Sequence, residues 1–388
     1  MILSFLSNMI MGQHPGFEDQ RPVVVVTSDE PWSDVWHTQI HYAAQLSKYF
    51  NVVFLGPPKK WSLRNCVDLR NNGKIIGKNL LAFSYFNWMP AFMGAISVWI
   101  NDLVNFYLLK SSIGSREVVA VWHFDRYRGV YFYKGDKSTK HIYHVIDPVA
   151  NLNFDNYLAR NADLVISVSQ RFMEHYLKLN PNVVFEGQGW DPDSVKFLKM
   201  ASSNGSLHAG SILLLGSFLD DVDYELLIQL REEVPGPPMV LIGPDKTGLA
   251  GRKELFKHLM GMPNVFWLGP LPPDKHIPYI LSSGVCLIAY ELTGKVFNRE
   301  RVFGTPLKVL SYLGCHKNVV SNIDCEIPDL EGKGIHYEKT AEGFILRVKD
   351  CLDGKVLIDQ GLVDQYLNSM EYGKIIYRLF QRLGVQIV

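Results

Sequence analysis

The chain has 388 residues, enough for two or three domains of about 150 residues each. Apolar residues make up 47% and charged residues 20%, a balance that excludes a disordered, collagenous or coiled-coil chain. The 39 basic residues equal the 39 acidic ones, so the basic excess typical of nucleic-acid-binding proteins is missing and we expect no nucleic-acid partner.

The first half of the chain alternates predicted strands with predicted helices, a pattern typical of a parallel sheet covered on both faces. PVVVVT at 22–27 predicts a buried strand, followed by a helix at 39–50 and a strand at 51–55. Further strands are predicted at 118–122, 141–146, 164–168 and 183–186, and a helix at 170–179.

Residues 88–109 are nearly long and apolar enough for a membrane span, with Asp102 as the only charge. Ser97, Asn101 and Asn105 recur at intervals of four and lie beside Asp102, so one face of the helix is polar. The pattern predicts an amphipathic helix that is either buried or lies on a membrane surface.

A linker is predicted at 200–211, where MASSNGSLHAGS is small and polar. The alternation of strands and helices then restarts in the second half. Strands are predicted at 212–215, 239–242, 265–268, 285–289 and 319–320. We therefore expect two α/β domains, with ligands bound outside the carboxyl ends of their strands.

The number and spacing of the five cysteines fit neither a metal site nor a set of disulfides, because the number is odd and no two form a CxxC pair. Reduced thiols indicate a reducing compartment, so we expect a cytoplasmic protein, with the inner face of the cytoplasmic membrane as an open alternative. Residues 1–12 are apolar but lack the basic start and the cleavage site of a signal peptide.

The strongest local signal is TPLKVLSYLG at 305–314. Pro306 suits the first turn of a helix, and Lys308 then lies near the positive end of the helix dipole, where an ammonium and free N–H groups favour an anion. Three more cations precede this helix: Lys295, Arg299 and Arg301. The cluster suits a diphosphate; a solvated loop with a helix-capping lysine is the alternative.

A glycine turn, Gly216-Ser217-Phe218, follows the first strand of the second half. A small residue there lets the backbone approach a phosphate closely, although many such glycines are only structural. The chain has neither a GxGxxG nor a Walker loop, which disfavours NAD and ATP. Two DxD spacings, at 191–193 and 221–223, are explained by N-capping, so we expect no metal ion. We also expect no other cofactor.

Asp147 ends an apolar strand in HIYHVIDP of the first half. A carboxylate against apolar walls has a raised pKa and can act as a general base, with a turn cap before Pro148 as the alternative.

Five other residues of the first half are candidate acceptor contacts: Trp32, Trp36, His37, His123 and His144. The two tryptophans and His37 stand in the first strand-to-helix loop, where aromatic rings could stack on a sugar. His123 and His144 stand at predicted strand ends. Packing in the core is the alternative for the tryptophans and for both strand-end histidines.

Several stretches of the sequence resemble stretches of GT-B glycosyltransferases and follow one another in the same order. Together they are spread over most of the chain. They are PVVVVTSDEPWSDVWHTQIHYAAQLSKYFNVVFLGPP, HIYHVIDPV, ARNADLVISVSQRF, VVFEGQGWDPD, SILLLGSFLDD, MVLIGP, MPNVFWLGPLPPDKHIPYI, VCLIAYE and TPLKVLSYLGCHKNVVS. The opening looks like teichuronic-acid-type polysaccharide glycosyltransferases. The VIDP, LGSFLDD and PLKVLSY pieces are similar to xanthan-type glucuronosyltransferases.

The resemblance implies a GT-B architecture of two Rossmann-like, doubly wound parallel-sheet domains that face each other across a cleft. Residues 1–200 would bind the acceptor, with a C-terminal helix at about 366–388 packing back on them, and 207–365 would bind a nucleotide-diphosphate sugar, UDP being favoured. The implied donor contacts are Gly216, Ser217, Phe218, Gly243, Tyr290, Arg299, Arg301, Thr305, Pro306, Leu307, Lys308 and Ser311.

The resemblance implies that Asp147 is the base of an inverting displacement, because it matches the aspartate proposed as catalytic base in the xanthan-type enzymes. No metal ion is needed if the cations near Lys308 neutralise the leaving diphosphate. Ser311 and Phe303 stand where many GT-B relatives carry paired glutamates, a departure that disfavours their retaining mechanism. The expected activity is transfer of a hexosyl or glucuronosyl group to a glycan or lipid-linked acceptor in polysaccharide biosynthesis, with a peripheral membrane contact. The alternatives are a nucleotide-sugar epimerase and a non-catalytic nucleotide-sugar or glycan-binding protein.

Overall fold

The computed structural model of the protein describes these parts of the chain: residues 16–33, 37–58, 73–90, 94–129, 137–146, 153–193, 208–292 and 304–387. The chain forms two compact units. The first comprises Met1–Glu186 with Tyr372–Val388, and the second comprises Gly187–Glu371.

The first crossing between the units therefore lies at Glu186, earlier than the 200–207 boundary expected from the sequence. The reason is that the segment after Glu186 already pairs with the end of the second unit. The Trp190 N–H donates to the Met370 carbonyl over 2.7 Å, and the Trp190 ring fills the space beside Gly314.

Eight strands form the sheet of the first unit. They are β1 (Val23–Thr27), β2 (Asn51–Gly56), β3 (Gly73–Gly77), β4 (Leu80–Ser84), β5 (Val118–His123), β6 (Lys140–Val145), β7 (Leu164–Ser167) and β8 (Val183–Phe185). Their order is β3-β4-β2-β1-β5-β6-β7-β8, and all neighbours are parallel except β3 and β4. The predicted strands are confirmed to within one or two residues, whereas the sequence analysis missed the β3–β4 hairpin.

Six parallel strands form the sheet of the second unit. They are β9 (Ile212–Leu215), β10 (Met239–Ile242), β11 (Val265–Trp267), β12 (Val285–Ile288), β13 (Val319–Ser321) and β14 (Ile335–Tyr337). The order β11-β10-β9-β12-β13-β14 is that of a Rossmann sheet, in which the strand sequence reverses between β9 and β12. β14 was not predicted.

Helices connect the strands of both sheets. They are α1 (Thr38–Leu46), α2 (Ala95–Ile113), α3 (Asn153–Asn161), α4 (Gln170–Leu177), α5 (Tyr224–Glu233), α6 (Ala250–Gly261), α7 (Pro273–Ser282), α8 (Leu307–Gly314), α9 (Ala341–Leu352), α10 (Gln360–Ser369) and α11 (Tyr372–Leu383). The helix expected at 366–388 is thus the end of α10 followed by α11.

The C-terminal helix α11 completes the hydrophobic core of the first unit. The Phe380 ring lies 5.3 Å from Phe50, and the Tyr372 ring lies 4.9 Å from the buried ring of Tyr42 on α1. Helix α11 therefore packs against residues from the first fifty positions of the chain.

The polar side of α2 faces the protein. Asn105 accepts from the Phe86 N–H and donates to the Phe86 carbonyl, both over 2.8 Å. Asn101 does the same for Met89, over 2.7 and 2.9 Å. The two amides thus satisfy the backbone of the segment that follows β4, much as a neighbouring strand would. In the described part of the chain, no helix combines the length and the apolar character that a membrane span requires.

We expect Asn105→Ala to lower the free energy of unfolding by about 3 kcal/mol, because it leaves the buried N–H and carbonyl of Phe86 unpaired. Urea denaturation followed by circular dichroism measures the change. Ser111→Ala, on an exposed position of the same helix, is the control and should change the free energy by less than about 0.5 kcal/mol. Equal effects of the two substitutions would contradict this account of α2.

Candidate functional site

The carboxyl ends of β9 and β12 form the point of the second sheet where the strand order reverses, which is the usual ligand site of an open α/β sheet. Gly216 follows β9 directly, and Tyr290 lies two residues after β12. Lys308 lies in the first turn of helix α8, and its side chain reaches Gly216 at the end of β9. Three segments that are far apart in the sequence therefore meet at this edge.

Gly216 and Gly243 keep the backbone at this edge free of side chains. Their φ angles are 142° and 146°, which L-residues rarely adopt. A Cβ atom on Gly243 would lie 1.7 Å from the Gly216 carbonyl oxygen, and one on Gly216 would lie 3.1 Å from Lys308 Nζ. Glycine is therefore required at Gly243 by the neighbouring backbone, and at Gly216 it leaves the Lys308 ammonium room beside the strand end.

Two hydrogen bonds fix the start of α8. The buried Tyr312 hydroxyl accepts from the Leu215 N–H over 2.8 Å, which ties the helix to β9. The Thr305 hydroxyl donates to the Cys325 carbonyl, so this predicted donor contact is a buried structural anchor. Pro306 is the N-cap residue of α8 and so precedes the first turn, one position earlier than the sequence pattern predicts.

Lys308 is half-buried, and its ammonium has no neutralising partner among the residues that the structure describes. Within the described residues it forms no hydrogen bond or ion pair, and it lies 5.1 Å from the centre of the Tyr290 ring, a cation–π contact. Burial lowers the pKa of Lys308 to about 8, and the negative charge of Asp221 opposes this shift. An anion bound here would favour the charged form of the lysine, so the site suits a phosphate or diphosphate.

Asn322 holds the backbone of Tyr290 on both sides. The Tyr290 N–H donates to Asn322 Oδ1 over 2.8 Å, and Asn322 Nδ2 donates to the Tyr290 carbonyl over 2.7 Å. The next residue, Glu291, donates its N–H to the Asp221 carbonyl over 2.7 Å. Sequence reasoning missed Asn322 and Glu291, although both follow buried strands at the carboxyl edge of the sheet.

The other predicted donor contacts have different placements. Phe218 is buried in the core, with its ring 5.5 Å from Phe256, so its side chain is not presented to a ligand. Ser217, Leu307 and Ser311 are half-buried beside Gly216 and Lys308 and stay predicted contacts. Lys295, Arg299, Arg301 and Phe303 lie outside the described residues.

Asp223 is the N-cap residue of α5, where it accepts from the Leu226 N–H over 3.0 Å, so capping explains the second DxD spacing. Among the residues that the structure describes, no three or more histidine, cysteine, aspartate or glutamate side chains converge as a set of metal ligands.

In the first unit the strand order reverses between β1 and β5, and Asp125 organises the loop that follows β5. Its buried carboxylate accepts from the Tyr127 N–H over 2.8 Å and from Arg128 Nε over 2.6 Å. Burial raises the pKa of Asp125, and the charge of Arg128 opposes this shift. Nη1 of the adjacent Arg126 is buried without a hydrogen-bond partner in the described structure. Sequence reasoning missed this loop, whose signal is the run of charges in HFDRYR.

His123 and His144 belong to the packing of the first unit rather than to an exposed acceptor site. His144 Nδ1 accepts from Trp122 Nε1 over 3.3 Å, and burial lowers the pKa of His144 to about 3. His123 Nε2 lies 3.1 Å from His141 Nδ1, and burial lowers the pKa of His123 well below its usual value. Burial favours the neutral form of both imidazoles, and both side chains are enclosed in the first unit, which agrees with the packing alternative.

Trp32 and His37 remain in the loop that follows β1. Trp32 is half-buried with its ring edge-on to Phe54, 5.3 Å away, and His37 is exposed immediately before α1. Two further predicted residues, Trp36 and Asp147, lie outside the described residues. Acceptor contacts of these four residues stay predictions.

No protein-family model matches the chain, and no curated protein matches it. Solved structures do match it over nearly its whole length. Sucrose-phosphate synthase from Thermosynechococcus elongatus is similar with a TM-score of 0.68 at 12% identity, covering 94% of this chain and 99% of that chain. A trehalose-6-phosphate structure from E. coli bound with UDP-2-fluoro glucose gives 0.65 at 12% identity, with 94% and 99% covered. A lipopolysaccharide outer core galactosyltransferase gives 0.60 at 11% identity, with 93% and 99% covered.

These similarities show that the chain has the GT-B fold of glycosyltransferases, with two Rossmann-like domains, and the predicted fold is confirmed. Sequence identities this low show only that the architecture is shared. The teichuronic-acid-type and xanthan-type likeness stays a prediction.

We expect Gly243→Ala to lower the free energy of unfolding by about 2 kcal/mol or more, because the added Cβ overlaps the Gly216 carbonyl at an unfavourable φ angle. Urea denaturation followed by tryptophan fluorescence measures it. Gly251→Ala, where the added Cβ meets open space in helix α6, is the control and should be neutral or stabilising. A fully stable Gly243→Ala protein would show that the strand ends are less constrained than described.

Proposed function

We propose that the protein is a glycosyltransferase that moves a sugar from a nucleotide-diphosphate sugar to a hydroxyl group of a glycan or lipid-linked acceptor. The observation that carries the proposal is the desolvated, unneutralised Lys308 ammonium at the strand-order reversal of a GT-B fold. The diphosphate of such a donor supplies the missing negative charge. The E. coli structure bound with UDP-2-fluoro glucose supports UDP as the nucleotide.

The donor diphosphate lies, in this proposal, between Gly216 and the start of α8. Lys308 binds its phosphate oxygens, and the free N–H groups of the first turn of α8 add to the positive potential. The absence of a side chain at Gly216 lets the diphosphate approach the ammonium. Tyr290, held by Asn322, keeps the Lys308 ammonium in place through its ring face.

The reaction that fits these groups is a single displacement at the anomeric carbon. The acceptor oxygen forms a bond to that carbon while the bond from the carbon to the diphosphate oxygen breaks, and the nucleoside diphosphate leaves. Asp147 takes the proton of the acceptor hydroxyl, and the configuration inverts. Lys308, with Arg299 or Arg301, neutralises the leaving diphosphate, so we propose that metal ions are not needed.

The acceptor side is proposed for the first unit, with a role in polysaccharide biosynthesis. Arg126, whose Nη1 is buried without a hydrogen-bond partner in the described structure, supports an acceptor that carries an anionic group. The transferred sugar is hexosyl or glucuronosyl in this proposal, since the cations at 295, 299 and 301 suit a carboxylate as well as a phosphate.

Lys308→Ala should weaken UDP binding by about tenfold to a hundredfold, the loss expected for one contact between a charged donor and a phosphate. Isothermal titration calorimetry at neutral pH measures the affinity. Lys253→Ala, an exposed lysine on α6, is the matched control and should bind UDP like the unaltered protein. If no UDP-, GDP-, ADP- or dTDP-sugar raises the melting temperature of the unaltered protein, the proposal fails.

UDP affinity should fall as the pH rises above about 8, because the free protein then loses the Lys308 proton that binding of the diphosphate requires. The expected slope approaches tenfold per pH unit between pH 8 and 9.5. Titration calorimetry across this range measures it. Lys308→Ala should remove the slope and Lys253→Ala should keep it; a slope that persists without Lys308 would assign the titration to another group.

Asp147→Asn should lower turnover by at least about a hundredfold while leaving UDP-sugar affinity nearly unchanged, because a general base acts on the acceptor proton and not on the donor. UDP release with a membrane extract as the acceptor source measures turnover. Conversion of the UDP-sugar without any acceptor would indicate an epimerase instead. Donor binding without any turnover would indicate a binding protein.

A further inference from the structure

Helix α2 buries polar side chains in its first half and leaves a line of apolar side chains exposed. Its polar residues Ser97, Asn101, Asp102 and Asn105 are at most 2% exposed and point into the first unit. Besides the two asparagine contacts described above, Asp102 accepts from the Tyr85 hydroxyl and from the Gly129 N–H. Rotation of the helix would leave these buried groups unpaired, so the opposite face is held toward solvent.

That opposite face is an apolar stripe. We call Ile96, Trp99, Leu103 and Tyr107 the α2 stripe; they are 67%, 52%, 40% and 36% exposed. Their spacing of three, four and four places them along one line of the helix. Trp88 is also 49% exposed, and its neighbour Met89 is hydrogen-bonded to Asn101 of α2, so a fifth exposed apolar side chain lies beside the helix.

We infer that the α2 stripe docks on the surface of an anionic phospholipid bilayer. Tryptophan and tyrosine are the residues that membrane interfaces favour, because their rings have an apolar body and a polar edge. The only acidic residue of Ala95–Ile113 is the buried Asp102, whereas Lys110 is exposed near the end of the helix. The exposed face therefore offers apolar side chains and a cation, which together match acyl chains and anionic headgroups.

A second protein fits the α2 stripe less well than lipid does. The stripe runs from Ile96 to Tyr107, about 16 Å of helix, and is one side chain wide. A stable protein interface buries about 800 Å² on each partner, more than a line of four side chains offers. Acyl chains need no matching surface shape, so a narrow stripe is sufficient for an interfacial helix.

This docking deepens the proposed function, because it would hold the proposed acceptor-binding unit at the bilayer where a lipid-linked acceptor lies. The docking itself depends on α2 and not on the donor site. It can therefore be tested separately from sugar transfer.

We expect the full chain to sediment with vesicles of equal parts phosphatidylcholine and phosphatidylglycerol. The double variant Trp99→Gln/Leu103→Gln should lower the partition coefficient at least about tenfold, because two half-exposed apolar side chains lose their contact with the acyl chains. Lys110→Glu should weaken binding to these vesicles and leave binding to phosphatidylcholine alone unchanged.

The control variant is Leu177→Gln/Tyr377→Gln, which removes two similarly exposed apolar side chains of the first unit from α4 and α11. It should partition like the unaltered protein. All variants should keep the rise in melting temperature that UDP causes. A loss of UDP binding can therefore be distinguished from a loss of vesicle binding. Failure of the unaltered chain to bind vesicles overturns the inference. So does equal binding by the stripe variant, or a dimer in solution that only the stripe variant loses.

Discussion

The ammonium of Lys308 stands at the strand-order reversal of the second unit without an ion pair among the described residues. A lysine ammonium is costly to desolvate without a counter-ion, and the lowered pKa of Lys308 reflects that cost. The cost is tolerated because α8 is tied to β9 through Tyr312 and because Gly216 leaves room for the ammonium. The chain thus holds a positive charge at this strand end, and in the proposed function this reduces the reorganisation that binding of a diphosphate would require.

Both sheets contain a parallel core with the same reversal of strand order, but the two units put different side chains at that place. At its strand reversal the second unit has glycines and a lysine that forms no ion pair within the described ranges, and both suit a phosphate. At its strand reversal the first unit has Asp125, which is satisfied by Arg128 and by backbone N–H groups. Shared architecture therefore does not fix the ligand; the residues after the strands do.

Most of the buried strands could be predicted from the sequence because short apolar runs between turn residues have few other interpretations; β9 and β10 were predicted to the residue. Lys308 could be predicted because its charge stands at a helix start. The outer strand β3 was missed because it is largely exposed and lacks an apolar run, whereas β4 was missed although its LLAFS run is apolar and buried. His144 was misplaced because the sequence does not show whether a strand-end side chain points into the core. The polar stripe of α2 was visible, but the buried side could be assigned only from its tertiary hydrogen bonds.

The chain enters the second unit after Glu186 and leaves it after Glu371, so the first unit is assembled from both ends of the polypeptide. The Trp190 N–H donates to the Met370 carbonyl, which places the entrance and exit of the second unit side by side, as in a domain inserted into a host. During synthesis the second unit is complete before α11 has left the ribosome. Until then Phe50 and Tyr42 lack their partners on α11, so a ribosome that stalls late would release a chain with an uncovered, aggregation-prone core.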